Sequence, residues 1–324
     1  MAEQSVSNAA QKGGEPLYCA VDIGGTKSDA VLFDGSGRIV SRRLSRGITP
    51  VDAHFDECVA HYIKTLTDIL SDAGGRRVAS SYLSVATVEH YSPAVQDSLK
   101  AVQGAGVLRA EPDGICLISS SLGHREGCSM ICGTGSSLYV RNSEGFYRIG
   151  GWGHFIDSCG SGFVLGRLAL RAALRAHDGR DGPTALTELL GEKIGRPVWE
   201  DYDRIYALGR PYVASLAGCL FEAAKQGDAA ALKIFDDCSS DLAELVQTAR
   251  RREGKPLTVV LNGGVFANHP EYADAVKAKS PVDTTFVDPV TPPVYGCAVE
   301  ALYSVGIEPD TGFEAAFLRD YRSV

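Results

Sequence analysis

The chain has 324 residues, 44% of them hydrophobic and 22% charged, values that allow two domains of ordinary globular size and make a two-domain enzyme the default. A net charge of -8 excludes a broad surface for nucleic acid or an anionic membrane, while leaving room for a local basic nucleotide pocket. Nine cysteines without a CxxC pair, a first segment lacking the apolar core of a signal peptide, and apolar stretches too short for a membrane span lead to the expectation of a soluble cytoplasmic protein with reduced thiols.

Residues 1–16 are polar and aperiodic and are expected to form a disordered tail. Tyr18 to Val21 then reads as a strand running into Asp22, a tight Gly24-Gly25-Thr26-Lys27 turn, and a second strand from Asp29 to Phe33. Glycines let backbone N–H groups approach an anion, Thr26 and Lys27 add a hydroxyl and a charge, and Asp22 stands where it can hold a hydrated Mg2+. An ordinary glycine hairpin has the same form. Arg38 to Leu44 continues as a third strand, so the opening is an antiparallel meander. The spacing of Phe55, Val59, Ile63, Leu66, Ile69 and Leu70 predicts a helix within Val51 to Ala73, ended by Gly74-Gly75. A strand at Tyr82 to Thr87, a helix at Pro93 to Gly104 and a strand at Gly114 to Ser119 complete an α/β layer.

A second hairpin begins at Ser129 and turns through Gly133-Thr134-Gly135-Ser136 into Leu138 to Arg141, repeating the logic of the first: hydroxyls flanked by glycine between two strands, suited to phosphate oxygens. A short strand (Phe146 to Ile149) precedes Gly150-Gly151-Trp152-Gly153-His154. The chain then reads as helical from Ser161 to Arg252, a helical insert. Leu257 to Leu261 is a buried-type strand ending in Asn262-Gly263-Gly264-Val265-Phe266, Val282 to Val287 is a last strand, and helices start at Pro292 and Gly312.

The turns DIGGTK, CGTGSS and LNGGVF in that order, with GGWGH between the second and third, resemble the N-acetylglucosamine kinase-like branch of the BadF/BadG/BcrA/BcrD ATPase family, within the actin and sugar kinase superfamily. The resemblance runs from about Leu17 to about Tyr303. It implies a two-lobe α/β fold of the ribonuclease H-like, actin-like ATPase type, each lobe a mixed five-stranded sheet with flanking helices. The lobes are expected at 17–121 and 122–311, with a C-terminal helix at 312–324 returning to the first. An ATP- and Mg2+-dependent phosphotransferase follows, acting on a small molecule such as an amino sugar, with the nucleotide between the lobes, cytoplasmic and a homodimer. On this resemblance Asp22 organises Mg2+, and Gly24, Gly25, Thr26 and Lys27 contact the β/γ-phosphates. Gly133, Thr134, Gly135 and Ser136 form a second phosphate loop, Gly263, Gly264 and Val265 border adenosine, and Gly150, Gly151, Trp152, Gly153 and His154 line the sugar side.

Three departures from the family's pattern concern the acceptor. The family's general-base aspartate follows the strand expected at Gly114 to Ser119, where this chain has Ser120, which cannot take a proton unaided. The family's acidic loop reads Asp157-Ser158-Cys159, leaving Asp157 as the acidic residue, and Thr87-Val88-Glu89-His90 replaces a small-residue turn. Three readings are open: a kinase with a diverged acceptor site and Asp157, Glu89 or His90 as a displaced base, an ATP-binding pseudokinase or regulator, or an iron–sulfur ATPase activator using Cys128 and Cys132.

Overall fold

The computed structural model describes residues 14–50, 53–86 and 92–323. The polar tail falls almost wholly outside the described residues, as do Thr87, Val88, Glu89 and His90. The chain divides into two compact units, one made of residues up to His124 together with those from Thr291 onward, the other running from Arg125 to Val290.

In the first unit, β1 (Leu17–Ile23), β2 (Lys27–Asp34) and β3 (Ile39–Arg46) form the antiparallel meander. They are followed by α1 (Phe55–Leu70), β4 (Val78–Val85), α2 (Ser92–Leu99), β5 (Val107–Pro112) and α3 (Asp113–Leu122). The sheet order is β3-β2-β1-β4-β5, with β4 and β5 parallel to β1. β1 is buried on both faces, which is why it reads as an apolar run broken only by Asp22 rather than an alternation. Leu17, Cys19, Val21 and Ile23 join the core with α1, while Tyr18 and Ala20 join the opposite core. By the two-residue period of a strand, Asp22 shares the face of Tyr18 and Ala20.

The second unit contains β6 (Gly127–Cys132), β7 (Ser136–Asn142), β8 (Gly145–Ile149), α4 (Gly162–His177), α5 (Leu186–Ile194), α6 (Tyr202–Ser215), α7 (Ala217–Lys225) and α8 (Ala229–Glu253). β9 (Thr258–Asn262), α9 (Gly264–Asn268), α10 (Pro270–Lys279) and β10 (Thr285–Val287) close it. Its sheet order is β10-β9-β6-β7-β8, the same plan as the first: a meander whose first strand is central, extended by two parallel strands. The GGTK and GTGS turns occupy the same place in the two sheets, each linking the central strand to its antiparallel neighbour. The chain then returns to the first unit through α11 (Pro293–Tyr303) and α12 (Phe313–Tyr321).

Two expectations are corrected. Gly114 to Ser119 is not a strand but the body of α3, and the strand before it, β5, went unpredicted. A short apolar run does not by itself separate strand from helix. Here the boundaries decide, because Pro112 and Asp113 supply a start and Gly123, in the left-handed region, a stop. The return to the first unit comes at Thr291 and not after residue 311, because α11 packs on α3 so closely that a Cβ on Gly296 would stand 1.9 Å from the Cys116 carbonyl oxygen. α12 is tied to the sheet by a buried charge cluster: Arg42 donates to both Asp29 oxygens at 3.0 and 2.9 Å, and the Tyr321 hydroxyl donates to Asp29 at 2.7 Å.

Candidate active site

In the first unit the candidate residues gather where β1, β4 and β5 end. Asp22 is one residue from the end of β1 and 9% exposed. It lies in register with Ser84 on β4, whose hydroxyl donates to Asp22 Oδ1 at 3.1 Å. Burial pushes the Asp22 carboxyl up to about 6, opposed by the Ser84 hydrogen bond. Directly after it, Gly25, Thr26 and Lys27 are exposed, and the turn closes with the Gly24 N–H donating to the Lys27 carbonyl at 3.0 Å.

Gly47, a residue no motif pointed to, holds this turn from behind. Its N–H donates to the Thr26 carbonyl at 3.0 Å, and a Cβ there would stand 2.3 Å from the Gly24 oxygen and 2.5 Å from the Thr26 and Lys27 nitrogens. Only glycine permits that approach.

Ser120 does not occupy the place the sequence suggested. It sits in the last turn of α3, 3% exposed, donating to the Leu117 carbonyl at 2.9 Å, and its own carbonyl accepts from Thr291 Oγ1. It is a packing residue against α11. The residue that directly follows a strand is Asp113, half-buried at the start of α3, where the helix dipole favours a carboxylate. Cys116 Sγ lies 3.1 Å from both the Asp113 carbonyl oxygen and Ser84 Oγ, so Asp113 and Asp22 are joined through two small side chains. A Pro-Asp pair at a strand end was the available signal, hidden by the apolar run behind it.

In the second unit the Gly133–Ser136 turn joins β6 to β7. Its carbonyls receive donors left over at the start of α4: Gly162 donates to Gly133 at 2.8 Å and Phe163 to Thr134 at 3.2 Å. Ser136 Oγ donates to the Cys159 carbonyl. Gly263 (φ 107) caps α9 so tightly against β6 that a Cβ would stand 2.3 Å from the Cys132 oxygen. A Cβ on Gly151 would stand 2.7 Å from the Ser136 oxygen. The GTGS, GGWG and NGGV motifs, far apart in sequence, therefore form one locality. Gly263 and Gly264 are exposed and Val265 is buried behind them. Arg210, which sequence reasoning missed, brings its guanidinium to 3.8 Å from where a Gly135 Cβ would be.

Trp152 is 58% exposed and stacks against Arg148 at 4.6 Å, while His154 lies 4.2 Å from the ring of Phe155, itself 92% exposed. Asp157 donates its N–H to the Gly153 carbonyl at 2.8 Å and accepts from Cys159 Sγ at 2.9 Å. Burial, with Asp157 beside it, pushes the Cys159 thiol up to about 12, so that it keeps its proton. Cys128 and Cys132 are both buried within β6, four residues and roughly 14 Å apart at about 3.4 Å per residue, which does not suit a shared cluster.

The family model for the BadF/BadG/BcrA/BcrD ATPase family matches residues 20–301. Among curated relatives, an N-acetylmuramic acid/N-acetylglucosamine kinase of Clostridium acetobutylicum is 27% identical over 238 residues, covering 71% of this chain and 72% of its own. An N-acetyl-D-glucosamine kinase of Dictyostelium discoideum is 27% identical over 286 residues, covering 81% and 89%. Among solved structures, a candidate N-acetylglucosamine kinase from Chromobacterium violaceum superposes with a TM-score of 0.68 at 21% identity, covering 87% of this chain and 98% of its own. That likeness establishes a shared actin-like ATPase fold.

Proposed function

The chain belongs to the BadF/BadG/BcrA/BcrD ATPase family, and on that premise we propose that it is an ATP-dependent kinase of amino sugars, transferring the γ-phosphoryl group to a hydroxyl of N-acetylglucosamine or a close relative. The observation that carries this reading is Asp113, a carboxylate directly after β5 at the first position of α3, whose backbone carbonyl is linked through Cys116 and Ser84 to Asp22. The apparent loss of the family base rested on a strand at Gly114 to Ser119, and that segment is helical. The names of the two curated relatives support the sugar class.

Phosphoryl transfer asks a protein for positioning and charge stabilisation more than for covalent chemistry. Asp113 takes the proton from the acceptor hydroxyl as it attacks. Gly24 to Lys27 and Gly133 to Ser136 hold phosphate oxygens through backbone N–H groups and hydroxyls, and Lys27 adds a positive charge. Gly263, Gly264 and Val265 border the adenosine, the exposed glycines leaving the backbone open to a flat ring. Gly150 to His154 serve the sugar side, with Glu89, His90 and Asp157 as acceptor contacts. The residues fit a hydrated Mg2+, since Asp22 offers a buried carboxylate oxygen beside an exposed phosphate-type turn, the mode this ion usually takes. When bound, the ion would neutralise phosphate charge. The same reading includes a cytoplasmic homodimer, to be checked by light scattering on the purified protein.

The test is incubation with Mg-ATP and a panel of N-acetylglucosamine, N-acetylmuramic acid, N-acetylmannosamine and glucose, followed by mass spectrometry of the sugars. Phosphorylation of an N-acetylated amino sugar is expected. Mg-ATP binding with no transfer to any of the four would favour a nucleotide-binding regulator, and no binding would end the nucleotide reading altogether.

A further inference from the structure

Beside the proposed phosphate turn, the first unit brings together three side chains that no step above uses jointly. One carboxylate oxygen of Asp22 and the sulfurs of Cys116 and Cys297 lie within 4.8 Å of one another. The three come from different elements, the end of β1, the first half of α3 and the middle of α11, and both cysteines are 0% exposed. Among the described residues no other three such groups converge. The bland account of a buried thiol is packing, and it covers the six other buried cysteines, Cys159 being partly exposed. Cys116 Sγ has the Asp113 carbonyl and Ser84 Oγ as partners at 3.1 Å, yet packing leaves unexplained why a second thiol, Cys297, stands with it beside a buried carboxylate, since thiols are weak hydrogen-bond donors and compensate little for burying such a group.

We propose that Asp22, Cys116 and Cys297 form a three-ligand site for Zn2+ or a similar thiophilic divalent ion. Two sulfurs and one oxygen suit a borderline-soft ion in tetrahedral coordination with one position left to water. Around such an ion the ligand atoms stand roughly 3.3 to 3.8 Å apart, so side-chain rotation of about an ångström closes the site. On binding, each thiol releases its proton to the solvent, the carboxylate binds as it stands, and the ion gives up waters in exchange. No electron is transferred. Mg2+, which takes oxygen ligands, engages Asp22 alone. The same carboxylate therefore serves two ions that differ in their use of sulfur. Zinc bound here occupies Asp22 and bridges β1, α3 and α11, which makes it an inhibitor; that consequence rests on the kinase reading, whereas the binding does not.

Titration of the full-length protein with Co2+ as a spectroscopic probe is expected to give thiolate-to-cobalt charge-transfer absorption saturating at one equivalent and abolished by Zn2+. Cys116→Ser and Cys297→Ser, or the corresponding alanines if a serine variant unfolds, should each reduce Zn2+ affinity at least tenfold in protein that remains folded by circular dichroism, and Cys297→Ser, which takes no part in the proposed transfer, should keep Mg-ATP binding near wild type. X-ray absorption of the zinc-loaded wild type, which needs no variant, should show two sulfur neighbours. A first shell without sulfur, or cobalt absorption that persists in the double variant, overturns the site. With turnover established, Zn2+ should inhibit the wild type at fixed Mg-ATP at concentrations at least tenfold below those needed for Cys116→Ser/Cys297→Ser, and equal sensitivity would overturn the inhibitory role. Absence of turnover in zinc-free protein would instead defeat the kinase reading and leave the spectroscopic result standing.

Discussion

Asp22 accepts a hydrogen bond from Ser84 Oγ at 3.1 Å, and the same hydroxyl lies 3.1 Å from Cys116 Sγ. One small polar side chain thus joins the end of β1, through β4, to the helix that begins with Asp113. A buried carboxylate is held in place by that contact, in an environment that disfavours its charge.

Asp22→Asn should stabilise the protein while disabling it. The carboxyl sits at about 6 in the fold against an ordinary value of 3.8, chiefly because it is buried. A group raised on folding contributes stability below its unfolded value and loses that contribution as pH rises through the folded one. Neutral asparagine escapes the loss, so thermal melts should show a gain at pH 8, on the order of 1–3 kcal/mol, that disappears near pH 4. Calorimetry should show Mg-ATP affinity reduced more than tenfold. A variant less stable than wild type at pH 8 contradicts the account.

Asp113→Asn and Ser120→Ala test which position matches the family's base, Asp113 or the serine first aligned with it. The first should lower kcat by about 10²–10⁴ with Mg-ATP affinity within about twofold of wild type. The second should leave kcat nearly unchanged, because the Ser120 hydroxyl is spent on the Leu117 carbonyl. Reversed results would remove Asp113 as the base.

Gly47→Ala tests the support behind the GGTK turn proposed to hold phosphate. Its methyl group has no room beside the Gly24 oxygen, so the turn must shift, at a cost of about 1–3 kcal/mol. ATP affinity should fall roughly tenfold or more if that shift costs binding at least 1.4 kcal/mol. Unchanged affinity in a folded protein would mean that the turn does not hold phosphate.

The anchoring of α12 is open to a double-mutant cycle. Arg42→Met strands the buried Asp29 carboxylate and should cost about 3–5 kcal/mol. Tyr321→Phe removes one hydrogen bond to a charge and should cost about 1.5–3 kcal/mol. Adding Asp29→Asn to Arg42→Met should recover part of the loss, because the unpaired charge is gone. Urea unfolding of wild type, Arg42→Met, Asp29→Asn and the double variant closes the cycle, and strict additivity would show that the pair is not coupled.

The phosphate-type turns and the meanders around them were legible because their signals are local. Glycine between two apolar β-branched runs forces a turn whatever surrounds it, and β1 reads as a strand because its burial on both faces leaves apolar residues along it except at Asp22. The order of the turns and their neighbouring motifs was enough for the family and its two five-stranded sheets. Ser120 was misplaced for the opposite reason. Ile115, Cys116, Leu117 and Ile118 suit a strand or a buried helix equally, and the signals that decide between them stand outside the run, at Pro112-Asp113 and Gly123; α11, whose Gly296 lies some 180 residues further along, packs on the result.

What the sequence by itself determined is the set of short-range devices: the glycine turns, the central strands, and the caps that start and stop helices, all governed by backbone sterics within a few residues. Tertiary structure alone decided which side chains meet. Gly47 behind the GGTK turn, Arg210 beside GTGS, Asp113 at the end of β5, and Cys116 and Cys297 around Asp22 are brought together by sheet register and helix crossing, and burial rather than neighbouring sequence raises the Asp22 carboxyl. Such contacts join residues tens to hundreds of positions apart, and no local pattern records them.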